Sequence, residues 1–386
     1  RVFHFFEQMS AIPRGSGNTK AVSDWLAEFA RERGLRYQQD ALNNIIIFKD
    51  ASAGYEGAEP VILQGHMDMV CEKAPDCGKD MTREGLDLAI DGDFVYAKGT
   101  TLGGDDGIAV AMALAVLDDE SLPHPPIEAV ITVDEETGMD GAVALDCSDL
   151  KGRRLLNLDS EEEGVFTVSC AGGLRADCFV PAVKAPLTDE VCFAVSIGGL
   201  KGGHSGAEID KGRGSGNDLI SRVLYSAMER LGTLRIADLR GGQFDNVICT
   251  RCDAVVAVPA GKAEDFAAFI REFDGILKNE YAATDGGVTL TCAAADADAA
   301  YSAEDSSRLL HVLLTLPQGV EVMSAASPGL VQTSLNLGVM TACGDGLHFS
   351  FSIRSSVATQ KELLLQRVRA IVEYTGGGTV STRGDY

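Results

Sequence analysis

Residues able to hold metal ions or move protons recur at four places in the first 160 positions. The first is His66-x-Asp68, inside Gln64-Gly65-His66-Met67-Asp68-Met69-Val70-Cys71-Glu72-Lys73. Val61-Ile62-Leu63, just before it, is a short apolar run that reads as a buried strand. Such a strand delivers His66 to its C-terminal end, where open α/β sheets gather ligands. In extended chain Asp68 points to the same side as His66. Its carboxylate can take one imidazole N–H and leave the other ring nitrogen for a metal.

Three later stretches place acids just after an apolar run or at a glycine-rich turn. They are Gly99-Thr-Thr-Leu-Gly-Gly-Asp105-Asp106-Gly107, Val130-Ile-Thr-Val-Asp134-Glu135-Glu136-Thr-Gly138, and Leu155-Leu-Asn-Leu-Asp159-Ser160. Acids are rarely buried unless they are paired or coordinate something. Four strand-end sites combining His with carboxylates point to a metal cluster of mixed N/O ligands, suited to zinc, manganese or cobalt.

The elements that position these groups follow from periodicity. Val2 to Met9 and Val22, Trp25, Leu26, Phe29 form helical faces, separated by a Pro13-Arg14-Gly15-Ser16-Gly17-Asn18 loop. Ile45–Phe48, Ile127–Val133 and Leu155–Leu158 read as strands, the last two as core strands. Gly107 to Leu117 reads as a buried helix behind Asp105. His124, in a Pro-rich linker, reads as exposed. Alternating strands and helices give an α/β sheet with the acids at its strand ends. From about Ala171 the pattern changes to longer strands near 191–197, 247–257 and 347–353, with helices near 217–231 and 266–277. This second part reads as an α+β sandwich. Thr359 with Glu362 reads as a capping box opening a last helix.

With 386 residues, two domains are the natural division. A net charge of −24 argues against nucleic acid and anionic membrane surfaces as partners. No apolar run is long enough to span a bilayer. Ten cysteines scattered through a large chain favour reduced thiols and a cytoplasmic setting over a disulfide framework. Cys249-Thr-Arg-Cys252 is a lone pair and reads as structural.

The order His-x-Asp, Gly-x-Asp-x-Gly, Glu-Glu, Leu-Asp-Ser resembles the di-zinc superfamily of carboxypeptidase G and the aminoacylases. Within it, QGHMDMVCEK, GTTLGGDDGIAVA, VDEETGMDGA and NLDSEEEGVFTVSCAGG are similar to the aminoacyl-histidine dipeptidases, or cytosol non-specific dipeptidases. The resemblance covers the whole chain. It implies a catalytic α/β domain with a mixed sheet and flanking helices, phosphorylase/hydrolase-like, over residues 1–172. It also implies an inserted α+β lid domain over 173–375 that forms a homodimer, and a return toward the catalytic domain from 376–386.

The resemblance further implies two divalent ions, Zn2+ or else Co2+ or Mn2+, about 3.5–4 Å apart and bridged by Asp105. His66 and Asp159 would complete one ion and Glu136 would hold the other. Glu135 would be the general base, with Asp68 orienting His66. His204, in a glycine-rich lid loop, would polarise the scissile carbonyl; in many relatives this His comes from the partner subunit. Alternation in His348-Phe-Ser-Phe-Ser-Ile-Arg354 puts Arg354 on a polar face. With Asn246 it would grip the free carboxylate of a dipeptide substrate through paired hydrogen bonds. Asp106 departs from the Asn expected after the bridging Asp. An amide deacylase and a non-hydrolytic binding relative are the alternatives. Asp159, rather than Glu, resembles the peptidase branches. None of the six histidines follows Arg354. A further His ligand is therefore expected beyond Tyr386, with the stretch ending there inactive alone and one metal position open or both empty.

Overall fold

The computed structural model of the chain describes residues 1–160 and 163–386. The chain divides into two compact units, Arg1–Val168 and Ser169–Tyr386.

The first unit contains α1 (Val2–Ser10), α2 (Lys20–Glu32), β1 (Arg36–Gln39), β2 (Ile45–Lys49), β3 (Val61–His66), β4 (Leu88–Asp91), β5 (Phe94–Ala97), α3 (Gly104–Asp118), β6 (Ile127–Thr132), α4 (Glu135–Gly138), α5 (Asp140–Ala144) and β7 (Arg154–Asn157). Its five-stranded sheet runs β1-β2-β6-β3-β7. β3 is parallel to both β6 and β7, while β1 and β2 add antiparallel at the other edge. Parallel β3, β6 and β7 therefore end on one side, which brings their C-terminal loops together. Ile45 and Ile47 of β2 pack with Phe5, Leu26 and Leu114 from the helices. Ile46 and Phe48, one residue out of phase, meet Ile62 and Val130 on the opposite face. Strand β2 is consequently buried on both faces.

Helix α3 buries Val110, Ala113, Leu114 and Leu117. It approaches β3 closely because Gly65 has no side chain. A Cβ there would lie 2.5 Å from Asp106 Oδ2 and 2.9 Å from the Ala109 Cβ. At the other end of α3, the buried Lys49 ammonium donates to the carbonyls of Leu117 and Asp119, both at 2.9 Å. It completes orphan acceptors of the last turn.

Some expected details differ. Strand β7 is an edge strand with Leu155 and Leu156 55% and 50% exposed, not a core strand. An apolar run announces a strand but carries no record of what covers it. His124 is buried, not exposed: its N–H donates to Ser52 Oγ at 2.8 Å, and its carbonyl accepts from Ser52 N–H at 3.0 Å. These bonds fold the Pro-rich linker against the preceding loop.

The second unit contains β8 (Gly172–Pro181), β9 (Lys184–Pro186), β10 (Glu190–Gly198), α6 (Gly216–Leu231), β11 (Arg235–Gly241), β12 (Cys252–Pro259), α7 (Ala263–Glu280), β13 (Thr289–Ala295), β14 (Ala299–Tyr301), α8 (Ala303–Thr315), β15 (Gly319–Met323), β16 (Val331–Ala342), β17 (Gly346–Ser355), α9 (Ala358–Arg369) and β18 (Thr379–Arg383). A nine-stranded antiparallel sheet follows the order β13-β10-β12-β11-β16-β17-β8-β18, with β15 on β16. Val223 of α6, Phe266 of α7, Leu309 of α8 and Leu364 of α9 share one core with Val195, Val256 and Phe351 of the sheet. Thr359 and Glu362 do not form the expected capping box. Helix α9 begins earlier, with Val357 at its N-cap and no side-chain cap. The N–H of Val357 is instead held by Ser355 Oγ at 3.0 Å. Residues 379–383, expected in a returning segment, pair with β8 as the edge strand β18. All ten cysteines are free thiols, and Cys249 and Cys252 are both buried. Among the described residues no helix is long and apolar enough to cross a membrane.

Candidate metal centre

The first-unit site is built on the loops that leave β3, β6 and β7 and on the start of α3. His66 ends β3 and is 1% exposed. Its Nε2 lies 2.9 Å from Asp105 Oδ1, and 3.9 Å from both Glu135 Oε2 and Asp159 Oδ2. Asp68 was expected at the other ring nitrogen. Its Oδ1 lies 3.3 Å and its carbonyl oxygen 3.1 Å from Nδ1. Two groups of potential ligand atoms each fall within 4.8 Å of one another: His66, Asp105 and Glu136, and His66, Asp106 and Asp159. Glu135 stands beside these groups. A cavity of about 280 Å³, lined partly by Thr132, Glu135, Leu155, Asn157 and Asp159, opens next to them.

Local structure sets each position. Asp105 and Asp106 have non-helical backbone at the start of α3 and are joined by a cis peptide. Asp134 turns the chain after β6 with φ 57°, so Glu135 and Glu136 open the short α4. Buried Asn44 braces that turn, accepting from Val133 N–H and donating to Gly141 O, both at 3.0 Å. The Asp68 carboxylate is fully buried and serves several partners at once. It accepts from Ser16 Oγ at 2.7 Å, from Glu135 N–H at 3.2 Å and from Glu136 N–H at 3.4 Å. Asp159 is placed by Asn157, whose Oδ1 accepts the Asp159 N–H at 3.3 Å.

The electrostatics reveal a deficit of positive charge. Burial, then Asp105's charge, pushes Glu136 up to about 7. Burial, then the charges of Asp106 and Asp105, does the same to Asp159. Asp106, 1% exposed, is raised to about 7 by burial. Burial alone would lower His66, but its hydrogen bonds with Asp105 and Asp68 outweigh that and raise it to about 11. Asp105 is held low, chiefly by its hydrogen bond with His66. A buried imidazole whose pKa is raised, beside three carboxyls pushed up by burial and one another's charge, forms a site that cations would relieve. One nitrogen and several oxygens fit divalent first-row ions.

The second unit assembles the other expected residues from three distant stretches. Ser205 N–H donates to Asn246 O at 2.8 Å, and His204 bridges to Val247. Arg354 on β17 reaches the same loop: a Cβ on Gly206 would lie 2.9 Å from His204 Cε1 and 3.2 Å from Arg354 Cζ. Arg354 Nη1 donates to the Tyr386 hydroxyl at 3.2 Å, and among the described residues its buried Nε has no partner. Partial burial, then the charge of Arg354, holds His204 below the ordinary histidine value.

The loop 13–18, which reads in sequence as a loop with cap candidates, supplies Arg14 and Ser16 to the site, and the Asn43-Asn44 turn supplies Asn44. Their signal was weak: a buried arginine runs against composition rules, and Asn-Asn reads as a turn.

Residues 62–154 match peptidase family M20/M25/M40, and residues 195–285 match the peptidase dimerisation domain. Fold and site together define a metallopeptidase. The chain is 36% identical over 388 residues to the cytosol non-specific dipeptidase of Escherichia coli strain K12, covering 100% of this chain and 79% of that protein. It resembles the crystal structure of aminoacylhistidine dipeptidase from Vibrio alginolyticus with a TM-score of 0.79 at 34% identity, covering 100% of this chain and 79% of that one. The YqjE protein of Bacillus subtilis strain 168 is 27% identical over 241 residues, 61% of this chain and 57% of that protein. The chain belongs to the M20 peptidase family, among its aminoacylhistidine, or cytosol non-specific, dipeptidases.

Proposed function

We propose that the protein hydrolyses unblocked dipeptides, Xaa-His among them, at a two-metal centre in the cytoplasm, as a homodimer. One observation supports this reading: two groups of potential ligand atoms that share His66, one with Asp105 and Glu136 and the other with Asp106 and Asp159, lie within 4.8 Å of one another in a chain of this family. Asp105 would bridge the ions, with His66 and Asp159 on one and Glu136 on the other. Two divalent ions held there supply Lewis acidity toward water and a peptide carbonyl.

This chain's own groups do the rest. Glu135 takes a proton from the attacking water and returns it to the departing amine. Asp68 fixes the His66 ring and holds the main chain of Glu135 and Glu136. Arg354 and Asn246 bind the substrate's free carboxylate, the guanidinium by paired hydrogen bonds. His204, whose pKa is lowered by partial burial and by Arg354, offers an N–H to the carbonyl oxygen.

The decisive experiment assays the purified full-length protein on free dipeptides, dipeptide amides and N-acylated amino acids, with metal analysis alongside. Metal-dependent turnover of the free dipeptides is expected. Turnover confined to the N-acylated compounds would favour an amide deacylase. Full metal content with no turnover would favour a binding protein.

A further inference from the structure

Arg14 lies between α1 and α2 with 2% of its surface exposed. Buried guanidinium groups are uncommon and need partners. Its hydrogen bonds all go to main-chain carbonyls. Nη1 donates to Met67 O at 2.9 Å and Asp68 O at 3.2 Å, and Nη2 donates to Gly103 O. Met67 and Asp68 directly follow His66, and Gly103 lies two residues before Asp105. One planar fork thus joins the two loops that present His66 and Asp105, whose Nε2 and Oδ1 lie 2.9 Å apart.

The neighbouring residues extend the same brace. Met69 N–H donates to Arg14 O at 3.1 Å. Ser16 bonds Asp68, and Gly17 N–H donates to Asp134 Oδ1 at 2.6 Å, reaching the loop after β6. Glycines make the room. A Cβ on Gly107 would lie 2.6 Å from Arg14 Nη2, and one on Gly103, at φ 63°, would strike the same atom. Burial lowers the guanidinium only to about 10, against the pull of Asp68, Asp106 and Asp105, so it stays charged at neutral pH.

A cation bonded only to carbonyls orders backbone. We propose that Arg14 is a positioning residue for the metal centre. Its fork sets the separation of the His66 and Asp105 loops, so that their side chains meet a shared cation in fixed geometry. The idea rests on the two-metal reading above. Lysine could restore the charge but not the planar bridge between the loops.

The test uses the full-length enzyme and its Arg14→Met and Arg14→Lys variants, each loaded with Co2+. Three readouts are taken: Co2+ affinity by chelator competition, the visible Co2+ spectrum, and kcat and KM on a dipeptide. Loss of a residue supporting metal ligands typically costs about 10–100-fold in affinity or activity. Both variants should lose affinity and kcat on that scale, with a changed Co2+ spectrum and KM moving less than about threefold. Recovery of wild-type values in Arg14→Lys would reduce the role to charge and overturn the proposal. An unchanged spectrum and affinity with only lower thermal stability would also overturn it. If Arg14→Met does not fold, Gly107→Ala crowds the guanidinium without deleting it. The same readouts should then shift in the same direction, and wild-type readouts would reject the proposal. Wild-type protein that binds no Co2+ or cleaves no dipeptide would defeat the functional reading itself, a separate result.

Discussion

In the first unit Asp68, Asp105, Asp106, Glu135, Glu136 and Asp159 gather around one buried imidazole, and three of the acids are raised to about 7. In the second unit an arginine and a histidine meet at one loop, and the histidine is pushed the other way. Acids outnumber cations in the first cluster, whereas in the second Arg354 lowers His204 and Glu208, which accepts the His204 N–H at 3.2 Å, opposes it. The first arrangement suits cations and the second offers an arginine to a carboxylate. The contrast also lies in construction. The first cluster hangs on the ends of the parallel strands β3, β6 and β7 and on the start of α3. The second is stitched from residues 204, 246 and 354 by loop contacts.

The contrast can be broken most severely at Glu135. Glu135→Gln removes a base that stands beside the candidate ligands, so turnover should fall by at least about 10²-fold while metal content persists. Near-wild-type turnover at full metal occupancy would remove it from the mechanism. In the second unit, Arg354→Ala should weaken free dipeptides by about 1.5–3 kcal/mol, the worth of a charged hydrogen bond, and spare dipeptide amides. Equal losses on acids and amides would leave Arg354 without its proposed partner.

Ser16→Ala deletes a 2.7 Å bond to the Asp68 carboxylate. Such supports are worth about 10-fold or more in metal affinity, measurable by chelator competition. Unchanged affinity would make Asp68 self-sufficient. The smallest effect is a titration. The His204 imidazole should titrate by NMR below an ordinary histidine, and Arg354→Ala should move its midpoint back up. The sign for stability follows. The unfolded chain takes the proton first as pH falls, so this contribution is fully present above the unfolded value, about 6.5, and is lost as pH falls through the folded one. A midpoint indifferent to Arg354→Ala would exclude the arginine as a cause.

The metal cluster was legible because apolar runs announce strands, and parallel strands deliver their next residues to one edge. His66, Asp105, Glu136 and Asp159 each sit just past such a run or at a glycine turn. Both architectures were legible from patterning: strands alternating with helices in the first part, and a change of character from about Ala171 to an α+β sandwich, whereas the antiparallel pairing came from the structure. Arg14 was hidden because an arginine in a Pro-Gly-Ser loop looks solvated, and only tertiary contact reveals its three carbonyls. His124 was hidden likewise, since its burial depends on Ser52, distant in sequence. Strand β7 was read as core because hydrophobicity fixes the strand and not its neighbours. The capping box was misplaced because α9 starts at Ala358, before Thr359, so Thr359 already lies inside the helix.

The Asp68 carboxylate is shared by a ring, a hydroxyl and two main-chain N–H groups. Shared acceptors make energies inseparable: loosening one partner changes what the others gain. Ser16→Ala combined with a change in the Glu135–Glu136 turn should therefore cost less than the sum of the two alone. In a double-mutant cycle this anion would appear as a coupling node between the β3 and β6 loops, so the site would fail or hold as a unit under mutation.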